Sequence, residues 1–551
     1  MKLKKITLAC LLFALTLVLA IHAGGNKMQQ SNDGPTVFTM FSADGNPQYE
    51  GFESPVARKI TEATGVKLDI EYPVGNSSQK IAVMLAAGDY PDLVFAKGDA
   101  GKFVDSGAFI DLTDLIEQYG PNIKKHYGST FKRHSYSPED PSIYWVGCFG
   151  VEEAILEAGA FWVQHAVVKE LGYPRLRTLK DLENALKAYV AKHPTIDGKP
   201  TIPYSLSYDG WRILIDVTNQ AYLATGGNGG DGEWHVDPET QSTILHHIRP
   251  IEKEYYRWLN HMYNIGLLDP ECVTQKHDSY EEKISSGQVL ALSDASWSIN
   301  GPQNSLKTAG KLDRMYGAYP ITLDERFERL DFMTGGYIPA WGVSVTTACK
   351  DPVKAIKFLD WMCTDESLVL RTWGIEGEHW EMQDGKRVET AFYTNLKDTD
   401  DYVSQKTGVG MYAYPFPERG TGARDARGLS FYKTGTIEDV KKNYTAVDLE
   451  VLRGYGLEGG TFLDLFKRDF PPKAWGDAWK TDFPEGSEGK ELFQRIQEIN
   501  WKRITEVTIC DPAEFDAKYD AYMQELKDAG VDRMNKLYTE ILQAKIKFWN
   551  E

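Results

Sequence analysis

Between Thr36 and Ala96 the chain switches repeatedly between two periods, and this alternation restricts its fold more than any other feature. Thr36–Phe41 has the composition of a strand. Residues 55–64 carry a helical pattern that Gly65 stops. Val66-Lys67-Leu68-Asp69-Ile70-Glu71-Tyr72 alternates at period two, the mark of a half-buried strand. Asn76–Ala87 is helical again, with Ile81, Met84 and Leu85 on one face and Gly88 as its stop. Pro91–Ala96 is a compact buried strand, and Gly98-Asp99 sits just past its carboxyl end. A chain built this way is of the α/β class. Open α/β sheets bind ligands outside the carboxyl ends of their strands. Asp44 and Asp99, after the first and third strands, are therefore candidate acceptors for ligand hydroxyls.

One hydrophobic core rarely serves 551 residues, so two large lobes are expected. A second unit begins near Phe161. Thr178 and Asp181 form a capping-box start for a helix whose Leu179, Leu182, Leu186 and Val190 repeat at helical spacing. Asp351-Pro352 opens another helix, with Val353, Ile356, Leu359 and Met362 inward. The tail from Pro512 to Trp549 has the pattern of two helices punctuated by Gly530. Gly226–Gly232 and Pro471–Gly489 are the most loop-like stretches.

Lys2, Lys4 and Lys5 precede an apolar run, Ile6–Ile21, and small residues up to Ala23 offer cleavage options, so residues 1–23 read as an export signal and 24–35 as a linker. Loss of the signal, with its three lysines and no acid, takes the formal charge from −18 to −21. Such a surface repels nucleic acid and anionic lipid. The five remaining cysteines, Cys148, Cys272, Cys349, Cys363 and Cys510, are widely spaced and read as buried thiols rather than a disulfide framework or a zinc site.

Aromatics make up 12% of the chain, with 14 Trp and 29 Tyr, more than a core requires. The stretch Tyr255–Trp297 combines two helices with a buried strand, Val289–Ser293, that runs into Asp294-Ala295-Ser296-Trp297. An indole beside an acid at a strand end suits a sugar ring, with its apolar CH face and its rim of hydroxyls. Tyr208-Asp209-Gly210-Trp211, on a loop after Tyr204–Ser207, offers a second platform in Trp211 with Asp209 beside it. Glu376 and Trp380 stand in a distinctive run, Gly374–Trp380.

Other motifs lead nowhere. Gly227–Gly232 matches a dinucleotide fingerprint by letter, but no helix follows it. His246 and His247, being adjacent, are expected to face different ways and not to share a metal. Neither H-E-x-x-H nor G-x-S-x-G occurs, and no catalytic residue, cofactor or metal is expected.

Four segments together resemble a known family: Thr64–Asp99, Gly159–Tyr189, Tyr255–Trp297 and Trp341–Trp380, in that order. The chain is similar to extracellular solute-binding proteins of the oligosaccharide-binding lipoprotein group, the ligand-capturing components of ABC importers. The resemblance implies a two-lobed, periplasmic-binding-protein-like α/β fold of type II kind, with a ligand cleft between the lobes and a helical C-terminal extension. Residues 36–150 and 338–400 would form lobe one, and 151–337 and 401–551 lobe two, with crossings near Gly147–Gly150, near Gly335–Ala340 and after Ala391. It further implies an oligosaccharide ligand, ABC permease subunits as partners, a monomer, and a place at the outer face of the membrane or in the periplasm. It assigns Trp297 and Asp294 to the cleft loop, Trp162 and Gln164 to ligand-facing positions, and Tyr337 and Trp341 to the junction of cleft and hinge.

Three departures are visible. No cysteine follows the signal at the place where relatives carry a lipid anchor. His193–Lys199, where many relatives hold calcium, has a single carboxylate, Asp197, so no calcium is expected there. The family's Arg-x-Asp-Trp pattern reads Phe161-Trp162-Val163-Gln164, with Gln164 in place of a guanidinium contact. The alternative reading is a secreted polysaccharide-degrading enzyme, hydrolase or lyase, since the 79 acidic residues leave room for a carboxylate pair.

Overall fold

A computed structural model describes residues 34–46, 49, 51–151, 159–333, 337–400 and 402–551. The signal segment, most of the linker and the Gly335 part of the second crossing lie outside the described residues. The principal strands, in chain order, are β1 (Thr36–Ser42), β2 (Val66–Glu71), β3 (Leu93–Phe95), β4 (Val146–Gly147), β5 (Gly159–Gln164), β6 (Ile202–Ser205), β7 (Val289–Ala295), β8 (Tyr316–Tyr319) and β9 (Gly342–Val345).

They build two separate sheets. The first has the order β2-β1-β3-β9-β4, and the second β8-β5-β7-β6. β1 lies parallel to β2, from Thr36 against Val66 to Phe41 against Glu71, and parallel to β3 on its other side. β9 enters antiparallel between β3 and β4. The helices crossing between these strands end where expected. Gly65 and Gly88 take left-handed conformations, φ 66° and φ 65°, that a residue with a Cβ adopts only at a cost.

Each sheet is covered on both faces because successive side chains point opposite ways. Phe161 and Val163 enter one core cluster, while Ala160 and Trp162 enter another on the opposite face. The larger cluster of the second lobe joins Tyr255, Tyr256 and Leu259 of helix Glu252–Asn264 to Ile496, Ile504, Tyr522, Tyr538 and Leu542 of the C-terminal helices. The first lobe holds Phe38, Met40, Leu68, Leu93, Val343, Ile356 and Leu359 in one cluster. That cluster also takes Val409, Tyr412 and Phe416, which pack with the first sheet past the boundary expected at 400, and Leu368 of the helix Asp365–Trp373 packs with Ala423 and Phe431 in a small cluster of its own.

The topology brings two sheet edges to one place. The chain leaves β4 at Gly147 and enters β5 at Gly159, and it leaves β8 at Tyr319 and enters β9 at Gly342. Each of these connections joins the carboxyl-end edge of one sheet's parallel strands to the same edge of the other. Loops after β1, β3, β4, β6 and β7 therefore open toward the space between the lobes.

Candidate functional site

On the first lobe, four neighbouring strand ends supply a mixed aromatic and charged surface. Asp44, after β1, accepts from Lys97 Nζ at 2.5 Å, after β3. The same ammonium sits 4.8 Å from the ring centre of Trp341, the residue before β9. Trp341 lies 5.5 Å from Phe149, which follows β4. Trp479, from the long loop of the second lobe, closes on both, edge-on to Trp341 at 5.3 Å and to Phe149 at 5.7 Å. Lys480 Nζ stands 4.5 Å from the Phe149 centroid and pairs with Asp477 at 3.1 Å.

Trp479 is placed by a buried ion pair. Lys473 and Asp231 are both sealed from solvent and meet at 2.8 Å; Lys473 also donates to the Gly229 carbonyl, and Trp475 Nε1 donates to Asp231 at 3.1 Å. At Gly232, φ 62°, an added Cβ would stand 2.6 Å from the Trp479 Cβ, so only glycine lets the two loops approach. Within Gly227–Gly232, Gly232 is the residue that makes room for Trp479.

The second lobe presents a platform at the ends of β6 and β7. Trp211 and Trp297 are half exposed, at 50% and 53%, and stack at 6.1 Å with planes 27° apart. The Arg212 guanidinium lies 4.3 Å from the first ring centre and 5.2 Å from the second. Trp297 is held on helix Ser296–Thr308 rather than on a loop; Gly301 and Pro302 inside that helix disguise it in the sequence.

Beneath the platform, Asp294 is fully buried. Its Oδ1 accepts from its neighbour Ala295 N at 2.6 Å, and its Oδ2 from Tyr280 OH at 3.2 Å. Burial first, and then the charge of Asp294, push the Asp216 carboxyl well above the usual carboxylate range, and burial raises Asp294 as well. Both carboxyls are thereby biased toward the neutral form.

A model for the family described as bacterial extracellular solute-binding protein matches residues 42–368. The chain belongs to this family. Among relatives, this solute-binding protein is 21% identical to lipoprotein LipO of Bacillus subtilis (strain 168), over 68% of this chain and 72% of that one. It is 25% identical to the fructooligosaccharide ABC transporter substrate-binding protein FusA of Streptococcus pneumoniae serotype 4, over 42% of this chain and 44% of FusA. The solved structure of FusA in complex with kestose superposes with a TM-score of 0.65 at 17% identity, covering 94% of this chain and 99% of that one. An HMO-binding, ABC-transporter-associated solute-binding protein from Bifidobacterium longum infantis gives the same TM-score at 14% identity, over 93% and 99%.

Several positions expected to face a ligand have other partners in this solute-binding protein. Trp162 is buried on the helix-covered face of its sheet and donates Nε1 to the Asp294 carbonyl at 3.0 Å. Gln164 is sealed, donating to the Gly287 carbonyl at 2.9 Å and accepting from Arg314 at 3.2 Å. Tyr337 is buried against Tyr127 at 5.2 Å. Their alternation in the strand, or their place at a crossing, turns them inward. Asp209 accepts from Lys276 and from His277 N, and so anchors the Trp211 loop. Asp99 accepts from Ser78 and Lys102 at 2.7 and 2.6 Å. Glu376 is exposed and Trp380 buried at a separate cavity of about 500 Å3 on the first lobe, lined also by Trp361, Ile375, Arg387 and Arg427.

The adjacent histidines also depart from expectation. They sit in a tight turn, His246–Ile248, that brings both rings to one side, with centroids 4.1 Å apart. Donor atoms of His246, His247 and Glu252 all lie within 4.8 Å of one another. The group is engaged as a buried network: His246 with Glu252 at 2.7 Å, Arg249 with Glu252 at 3.1 Å, and His247 with Glu233 at 3.3 Å. Asp197 pairs with Lys311 at 2.7 Å. The five cysteines are buried free thiols, as expected.

Proposed function

We propose that this solute-binding protein captures a carbohydrate, an oligosaccharide, between its lobes and hands it to an ABC-type membrane importer. The observation that carries the reading is the gathering of exposed or half-exposed rings at the strand ends of both sheets: Trp211 and Trp297 at one, Trp341 and Phe149 at the other, where Trp479 packs on them. Flat apolar faces beside hydrogen-bonding groups such as Asp44 and Lys97 match a pyranose or furanose ring. The names of FusA and of the Bifidobacterium protein, and the kestose in the FusA complex, support the same class of ligand. Lobe one is taken as residues 36–150 with 338 to about 432, following the core clusters, and lobe two as the remainder.

In this reading the protein binds without cleaving, is exported, and works as a monomer that docks on permease subunits at the outer face of the membrane or in the periplasm. Calorimetry against plant, algal and host oligosaccharides is expected to find micromolar or tighter binding to at least one, with the recovered glycan intact. New reducing ends or unsaturated products that vanish on mutating a cleft acid would replace this reading with a catalytic one.

A further inference from the structure

The indole platform of the second lobe carries a cation, Arg212. Among the described residues, the hydrogen bond made by the Arg212 guanidinium is Nη1 to Ser298 Oγ, a long 3.4 Å, and no carboxylate lies at ion-pair distance. The cations at the opposite edge are neutralised, Lys97 by Asp44 and Lys480 by Asp477. Asp216 and Asp294 draw on the arginine from behind, but both are buried, and burial biases them toward the neutral form. Ser298, which bonds both Arg212 and Asp294, stands between.

A guanidinium has five N–H donors in a planar fork. Held by two indoles and tethered once to Ser298, Arg212 keeps most of that fork without an acceptor among the described residues, beside the surface on which the sugar ring would lie. The formal charge of the whole chain is −18, a field that repels anionic solutes. A local cation at the platform offsets that repulsion where it counts, and the fork matches two oxygens of one carboxylate or sulfate.

We propose that Arg212 takes an anionic substituent of the bound glycan, a carboxylate or a sulfate ester, while Trp211 and Trp297 take its ring. This assignment rests on the carbohydrate reading above and names the ligand class within it.

The test is titration calorimetry of the full chain with matched pairs: trigalacturonate against its methyl ester, and a sulfated carrageenan disaccharide against its desulfated form, with a neutral gluco-oligosaccharide as reference. One anionic member is expected to bind at least tenfold more tightly than its neutral counterpart, and which pair responds identifies carboxylate or sulfate. Arg212→Gln is expected to erase that preference with an unchanged melting temperature, and Arg212→Lys to keep part of it. A neutral glycan bound as tightly as any anionic one would overturn the assignment and leave the carbohydrate reading standing. A preference that survives in Arg212→Gln would also overturn it. Failure of every glycan at millimolar concentration would overturn both.

Discussion

At the scale of single residues, exposure separates side chains open to a ligand from those buried beneath them. Trp297 and Trp211 are half exposed and stacked, so each is expected to contribute directly to sugar affinity. Trp297→Ala or Trp211→Ala should cost about 1 kcal/mol, roughly fivefold in Kd, by calorimetry. An unaltered Kd in both would make the pair a purely structural stack. A second residue-scale prediction concerns acid stability. Glu183 is almost fully buried; burial raises its pKa, but hydrogen bonds from Lys187, His261 and Lys180 outweigh this and hold it down at about 2, against an ordinary 4.5. A carboxylate depressed in the folded state stabilises fully above its unfolded pKa and loses that contribution as pH falls through the folded one. Wild type should therefore lose about 2 kcal/mol between pH 4.5 and pH 2 that Glu183→Gln does not lose. Urea unfolding across that range checks it, and parallel losses in both proteins would contradict it.

At the scale of elements, helices and strands were readable because their signals are local. The capping box at Thr178, the glycine stops at Gly65 and Gly88, and the break at Gly530 all sit where the sequence puts them. Thr178→Ala should cost about 1 kcal/mol, seen as a lowered melting temperature; an unchanged one would mean that packing alone fixes that helix start. Pairings across hundreds of residues were not readable. Nothing near Gly232 announces Trp479, and nothing near Asp231 announces Lys473, because loop-to-loop contact depends on the assembled lobe. The tight turn at His246 likewise defeats an argument from helix or strand periodicity. The resemblance alone put Trp162 and Gln164 toward a ligand, and both are buried in β5, whose GAFWVQ sequence has no alternation to mark a face. Lys473→Met strands a buried Asp231 and should destabilise by about 3–5 kcal/mol, more than any cap. Urea titration checks it, and a loss below 1 kcal/mol would show that the pair does not hold the loops together.

At the scale of the whole molecule, two independent cores joined by connections at one pair of edges allow the lobes to move as bodies. In this structure the lobes already touch through Trp479 on Trp341 and Phe149, and through the end of the last helix, where Lys132 and Arg133 lie over Phe548 and Trp549 at 4.6 and 5.1 Å. A ligand that bridges both edges favours closure only by binding the closed arrangement more tightly than the open one. In the proposed reading its contacts include both the Trp211–Trp297 platform and the Trp341–Phe149–Trp479 cluster. Small-angle scattering of the protein, alone and saturated with its best-binding glycan, measures this most directly. The radius of gyration is expected to fall on saturation, and to fall less in Trp297→Ala at equal occupancy. A radius that stays the same in wild type at saturating glycan would contradict capture between the lobes.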